Sequence, residues 1–208
     1  MVNIVNVRLV ILAFSAVVAT GPTRADSTCG SLLNAVGPWD YRTATQERRE
    51  LVERFHFKPE TEALKGQGVI GLAADLQYTL RAFPNHPRAL VTIADLARKQ
   101  KRAQPPGFIY PIECWFERAI RFQPDDGQVR LVYGVALLKD GNRDSAIEQL
   151  EKAEQLLPRN ANVHYNLGLA YFDTKNYAKA REHAKIAYEL GFPLPGLKDK
   201  LQRASQWQ

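Results

Sequence analysis

The sequence has little of what an enzyme or a metalloprotein usually needs. Its 208 residues include only two cysteines and four histidines. No two histidines are spaced i, i+4, and no acid–histidine cluster has the spacing of a metal motif. No serine or cysteine nucleophile stands beside a candidate base, and the GxGxxG string at 66–71 follows no predicted strand. The sequence therefore predicts no metal site, no cofactor and no enzymatic activity.

Long runs of one residue type are also missing. No apolar stretch reaches the roughly 20 residues that span a bilayer. The net charge is only +6, and the densest basic run, 98–102, fits a solvated helix end before a loop. We therefore expect no nucleic-acid partner, and no stable membrane span once the N-terminus has been processed.

The N-terminal segment 1–25 has the pattern of a secretory signal. It contains no acidic residue, Arg8 lies in a short polar start, and positions 9–20 are apolar or small. Such a run has the length of a signal h-region, and positions 23–25 offer a cleavage site that ends in alanine. The alternative is a buried apolar helix. The pattern favours residues 1–25 as a signal peptide and an exported protein, periplasmic or secreted.

Cys29 and Cys114 both survive such processing. An exported chain meets an oxidising compartment, where these two residues can form one disulfide. Two free thiols fit the sequence equally well. The sequence alone leaves the choice open.

The strongest pattern is internal repetition with a period of about 34 residues. When 127–160 is placed above 161–194, Gly134 falls on Gly168, and alanines fall on alanines at three further positions. Each unit holds two stretches with apolar residues at helical spacing, predicted at 128–139 and 144–156, and then at 162–173 and 178–189. Glycine costs about 1 kcal/mol inside a helix, so its repetition indicates that two helices approach closely there.

Residues 128–194 resemble tetratricopeptide (TPR) units. The last unit carries the pattern at His164, Leu167, Gly168, Tyr171, Ala180, Ala184 and Ala187, and the middle unit at Arg130, Tyr133, Gly134, Leu137, Ala146, Leu150, Ala153 and Pro158. Arg130 and His164 replace the usual tryptophan. The resemblance implies an all-α fold, a solenoid of helical hairpins with a right-handed superhelical twist.

The resemblance extends over most of the chain. Pro84 and Pro124 are further apart than one period, so the unit at about 84–126 carries six extra residues, which we assign to the proline-rich turn at 104–111. Leu72–Phe83 is predicted to be the second helix of a still earlier unit. The predicted organisation is a signal peptide (1–25), a non-repeat segment (26–71), a TPR array (72–194) and a C-terminal capping helix (195–208).

The first helices of TPR units line a concave groove, which the resemblance makes the candidate partner-binding site. The middle part of this face is unusually apolar, so it is expected to bury against a partner or against the chain's own aromatic N-terminal segment. By repeat position, the groove residues are Arg88, Asp95, Leu131, Val135, Leu138, Asn162, Tyr165, Asn166, Leu169 and Phe172.

These observations predict a non-catalytic protein–protein interaction module or assembly adaptor of the cell envelope. Its partner would be another protein or a peptide segment held in the concave groove. A structural subunit of a secretion or pilus-type machine is the alternative, and an envelope enzyme is a third class for which the sequence offers no chemistry.

Export makes a direct prediction about the mature N-terminus. Cleavage after Ala25 should give a chain that begins at Asp26. N-terminal sequencing of periplasmic or secreted material checks this. Full-length protein found in the cytosol would refute it.

Overall fold

The computed structural model describes residues 29–66 and 68–207, and within them it contains helices and turns but no β-strand. The all-α class predicted from the sequence is confirmed, and the stacked hairpins form a helical solenoid. The predicted signal peptide lies outside the described residues. In chain order the helices are α1 (Gln46–His56), α2 (Pro59–Glu62), α3 (Gly68–Ala82), α4 (Pro87–Gln100), α5 (Ile112–Phe122), α6 (Gly127–Lys139), α7 (Arg143–Leu156), α8 (Ala161–Asp173), α9 (Tyr177–Glu189) and α10 (Gly196–Arg203).

The hairpins α6–α7 and α8–α9 follow the period of the sequence repeat closely. Each of these four helices begins one residue before its predicted start and ends at the predicted residue. The N-caps of the first helices α4, α6 and α8 occupy equivalent repeat positions, at His86, Asp126 and Asn160. In each case the side chain accepts a hydrogen bond from a backbone N–H of the first turn, which satisfies a donor that the helix itself leaves free.

The repeated glycines sit where helices meet, as their spacing predicts. A Cβ atom on Gly134 would lie 2.6 Å from Cγ of Leu150 and 3.2 Å from the carbonyl oxygen of Ala146. A Cβ atom on Gly168 would lie 2.4 Å from Cδ2 of Leu197 and 3.2 Å from the carbonyl oxygen of Ala180. Any larger residue at either position would therefore push the facing helix away.

The C-terminal helix α10 caps the array by copying an internal contact. One repeat after Leu150 the sequence has Ala184, so the space beside Gly168 would be open. Leu197 of α10 occupies that space, and Leu197 and Leu201 are both fully buried. Burial of such side chains contributes roughly 1.5–3 kcal/mol each, which fixes α10 across the last hairpin.

The insertion between α4 and α5 is folded against the helices. Gln77 of α3 donates to the carbonyl oxygen of Gly107 at 2.8 Å, and its Oε1 accepts from the backbone N–H of Ile109 at 2.8 Å. Phe108 is buried and meets the edge of Trp115. The proline-rich turn is thus part of the core that α3, α4, α5 and α6 share.

The N-terminal part departs from one sequence expectation. Helix α3 begins at Gly68, four residues before the predicted Leu72, so the predicted boundary at residue 71 falls inside a helix. Gly71 is therefore helical. Helix α1 has Thr45 as its N-cap, whose side chain accepts from the N–H of Arg48.

A disulfide joins Cys29 to Cys114 of α5, with their Cα atoms 5.1 Å apart. The same stretch of chain is held by Arg118, which donates to the carbonyl oxygens of Cys29 and Ser31 at 2.9 and 2.8 Å. The bond spans 85 positions of sequence, and closing such a loop lowers the free energy of the folded chain relative to the unfolded one by roughly 4.5 kcal/mol in the chain-entropy description.

A partly buried polar network fastens α1 to the array. His86 Nδ1 accepts from the N–H of Ala89 at 3.1 Å, so its other nitrogen carries the proton and donates to Glu53 Oε1 at 3.2 Å. Tyr41 donates to the same oxygen at 2.7 Å. The hydrogen bond from His86 is the main cause that lowers the pKa of Glu53 to about 2, against the opposing effect of burial. Burial, followed by the bond to Glu53, raises the pKa of Tyr41 to about 12.

This network predicts a specific acid sensitivity. A carboxyl group whose pKa is lowered in the folded state stabilises the native chain fully when the pH is above the group's ordinary pKa of 4.5. This stabilisation is lost as the pH falls toward the folded-state pKa of about 2. Glu53→Gln should therefore lower stability at pH 7 and make it fall less steeply between pH 4.5 and 2. Urea unfolding across this range measures the effect, with Glu47→Gln, an exposed change on the same helix, as control. Parallel pH curves for wild type and Glu53→Gln would contradict the assignment.

Candidate protein-binding groove

The first helices α4 and α6 lie side by side and leave a groove of about 340 Å³ between them. Val91 is half-buried and supplies most of the exposed apolar surface, whereas Val132 and Thr92 are nearly buried; the exposed Gln128 adds a polar group. Arg88 and Asp95, both predicted from repeat position, lie on its walls. The groove thus combines a small aliphatic surface with polar side chains that can bind backbone amides of an extended peptide.

Charged pairs border this groove on both sides. Arg88 binds Glu62 of α2 through both carboxylate oxygens, and this hydrogen bonding holds the pKa of Glu62 below its usual value. Asp95 pairs with Arg98 of its own helix and lies 3.5 Å from the ammonium group of Lys139 on α6. The N-terminal segment therefore contributes one wall of the groove through Glu62.

The predicted apolar stripe on α6 proves to be contact between repeats. Leu131 is only 5% exposed and belongs to the same buried cluster as Val163 and Leu167 of α8. Val135 and Leu138 are half-buried and pack against that cluster. Placing Leu131 in an open groove was wrong, because this side chain is part of the core that the last two hairpins share.

The first-helix face of the last repeat is partly covered by the chain that follows α9. Tyr165 stacks on Phe192 with ring centroids 3.8 Å apart, and the ammonium group of Lys200 lies 5.3 Å from the ring centroid of Phe172. Leu169 is half-buried in the same cluster. The carbonyl oxygen of Asn162 accepts from the side chain of Asn166 at 2.7 Å, on the solvent side of the helix. The open part of the groove is therefore concentrated at α4 and α6.

The N-terminal aromatic residues do not bury the α6 stripe. Trp39 and Tyr41 pack on Phe83 at the end of α3, and Phe57 meets the edge of His86. No residue in the described range 29–66 belongs to the hydrophobic cluster that contains Leu131. The N-terminal aromatic segment therefore does not fill the groove, as one of the two sequence-based alternatives supposed. Its rings instead cover the end of the first repeat.

A second cleft, of about 480 Å³, lies between α1 and α3. Its walls include Trp39, Arg48 and Tyr78, together with Leu51 and Phe55, which are 60% and 56% exposed. Val52, from the same helix, is buried and anchors α1 against α3, while the other two side chains face the cleft.

Sequence spacing missed a pair of histidines. His164 of α8 and His183 of α9 meet inside the last hairpin, and Glu154 of α7 lies beside them. Burial is the main cause that keeps the pKa of His183 below its ordinary value, although Glu154 acts in the opposite direction. The two histidines are too far apart in sequence to match a local motif. A signal was nevertheless available in the repeat, because Arg130 and Gln149, at the equivalent positions one repeat earlier, also bond across their hairpin, at 2.8 Å.

Family comparisons agree with this geometry. The TPR repeat family matches residues 134–175, and the tetratricopeptide repeat family matches residues 161–191. The chain therefore carries TPR repeats in its C-terminal half, and TPR domains are protein–protein interaction modules. No curated protein matches the sequence.

Solved structures support the fold. PilF of Pseudomonas aeruginosa is 20% identical with a TM-score of 0.53, over 76% of this chain and 67% of that one. MamA of Desulfovibrio magneticus, residues 41 to the end, is 20% identical with a TM-score of 0.54, over 76% and 84%. A double mutant of MamA from strain RS-1 is 21% identical with a TM-score of 0.53, over 76% and 83%. At this identity the similarity concerns the fold alone.

None of the helices in the described ranges has the length and apolar character needed to cross a bilayer.

Proposed function

We propose that this protein is a non-catalytic assembly adaptor of the cell envelope, which holds an extended segment of a partner protein in the groove between α4 and α6. The observation that carries the proposal is the groove itself, in which the half-buried Val91 lies beside the nearly buried Val132 and is flanked by polar side chains. An aliphatic side chain of the partner would pack there, and Gln128, which is exposed, would bind the partner's backbone.

Two observations support a location outside the cytoplasm. Residues 1–25 have the composition of a secretory signal. Cys29 and Cys114 are joined by a disulfide, a bond that forms and persists in oxidising compartments. Both features fit a protein that works in the periplasm or after secretion.

Site-specific photo-crosslinking tests the groove without altering the core. A photoreactive residue at Gln128 should crosslink one discrete partner in envelope extracts, because this side chain borders the groove. The matched control is Gln155, which is exposed on the second helix α7. Equal adducts at both positions, or none at Gln128, would contradict the proposal.

A charge placed in the groove should prevent binding. We expect Val91→Glu to abolish the Gln128 adduct, since burying an unpaired carboxylate against a partner costs several kcal/mol. Ile109→Glu, an equivalent change at an exposed site outside the groove, should leave the adduct intact. A single partner supports an adaptor, whereas adducts with several proteins in one large sedimenting complex would indicate the machine subunit instead.

A further inference from the structure

Three side chains that can bind a metal converge where α7, α8 and α9 meet. His164 Nδ1 lies 3.2 Å from His183 Nδ1, and Glu154 Oε1 lies 3.5 Å from the first nitrogen and 3.8 Å from the second. Both histidines are buried, while the glutamate side chain is one-third exposed. The cluster is therefore built into the hairpin on one side and open to solvent on the other.

The contacts of His164 leave its Nδ1 atom available as a ligand. Its Nε2 atom lies 2.9 Å from the carbonyl oxygen of Pro158, which can only accept, so Nε2 carries the proton. In the neutral ring Nδ1 then accepts a hydrogen bond from His183 Nδ1, so a metal ion between the two nitrogens would replace that single proton. A backbone carbonyl that fixes a histidine in this way is the usual outer partner of a metal-binding imidazole.

The three separations match those around a tetrahedral zinc ion. Zinc bonds to histidine nitrogen and carboxylate oxygen are about 2.0–2.2 Å long, which places neighbouring ligand atoms about 3.3–3.5 Å apart in a tetrahedron. The observed values of 3.2, 3.5 and 3.8 Å bracket this range. One ion can therefore contact all three atoms with shifts of a few tenths of an ångström.

The preceding repeat brings side chains together at the equivalent positions, but these side chains cannot bind a metal in the same way. Arg130 and Gln149 occupy the positions equivalent to His164 and His183, and they form an ordinary hydrogen bond. The position equivalent to Glu154 one repeat earlier is Ile120. Neither the two histidines nor the glutamate has a ligand-type residue at the equivalent position one repeat earlier, so the cluster is particular to the junction of the middle and last repeats.

We propose that Glu154, His164 and His183 form a zinc site, with a fourth position open to water on the side of Glu154. Two imidazoles and one carboxylate, with a fourth position open to water, are an established donor set of zinc sites in proteins. Since Glu154 comes from the middle repeat and both histidines from the last hairpin, a bound ion would fasten the two repeats together.

Isothermal titration of the full chain with zinc chloride at neutral pH tests the site. We expect one equivalent to bind to the wild type. Glu154→Gln, which keeps the size of the side chain, should weaken binding by more than the ~10–100-fold typical of losing an outer partner. His183→Asn should do the same. Glu151→Gln on the same helix, and His56→Asn at the separate His56–Asp75 pair, are the matched controls and should bind like wild type.

Cobalt provides a second readout, which reports the coordination geometry of the bound ion. Co²⁺ in the wild-type site should give the intense visible absorption of tetrahedral coordination, and Glu154→Gln should remove it while circular dichroism stays unchanged. Absence of zinc binding to the folded wild type would overturn the proposal. It would also be overturned if binding survived both Glu154→Gln and His183→Asn, or if it were lost only in His56→Asn.

Discussion

A stack of helical hairpins leaves one apolar face uncovered at each end, and covering these two faces is the constraint on which the rest of this structure depends. At the C-terminal end the solution reuses an internal contact. Leu197 fills the space beside Gly168 that Leu150 fills beside Gly134, and the change from leucine to Ala184 makes room for it. Helix α8 therefore contacts α10 through the same kind of glycine–leucine contact that joins α6 to α7.

The N-terminal end is covered by a segment that has no repeat of its own. Trp39 and Tyr41 pack on Phe83, and a polar network joins Glu53 to the N-cap residue His86. Covalent and polar links add to this attachment, notably the Cys29–Cys114 bond. The same segment reaches the groove through Glu62, so the cap and the candidate binding site share a wall.

The C-terminal chain covers part of the exposed face of α8, the first helix of the last repeat, where Phe192 stacks on Tyr165. What remains open is the stretch between α4 and α6.

The sequence predicted local structure well and packing between repeats less well. Periodicity located α6–α9 to within one residue, because the same spacing sets both helix length and turn. It could not reveal that Leu131 is buried, since that depends on how neighbouring hairpins pack together. It also missed His164 and His183, which are distant in sequence and meet only when the hairpin closes. The N-terminal cap was unpredictable in detail because its contacts join distant, non-repeating residues such as Tyr41 and Glu53.

Native-state hydrogen exchange on the Leu197→Ala, Leu201→Ala double variant tests most directly whether end-capping holds the array together. Uncovering the last apolar face should speed amide exchange most in α8 and α9, less in α6 and α7, and least in α3 to α5, because each hairpin is stabilised by its neighbours. Exchange that is unchanged, or that rises equally along the whole chain, would contradict this mechanism.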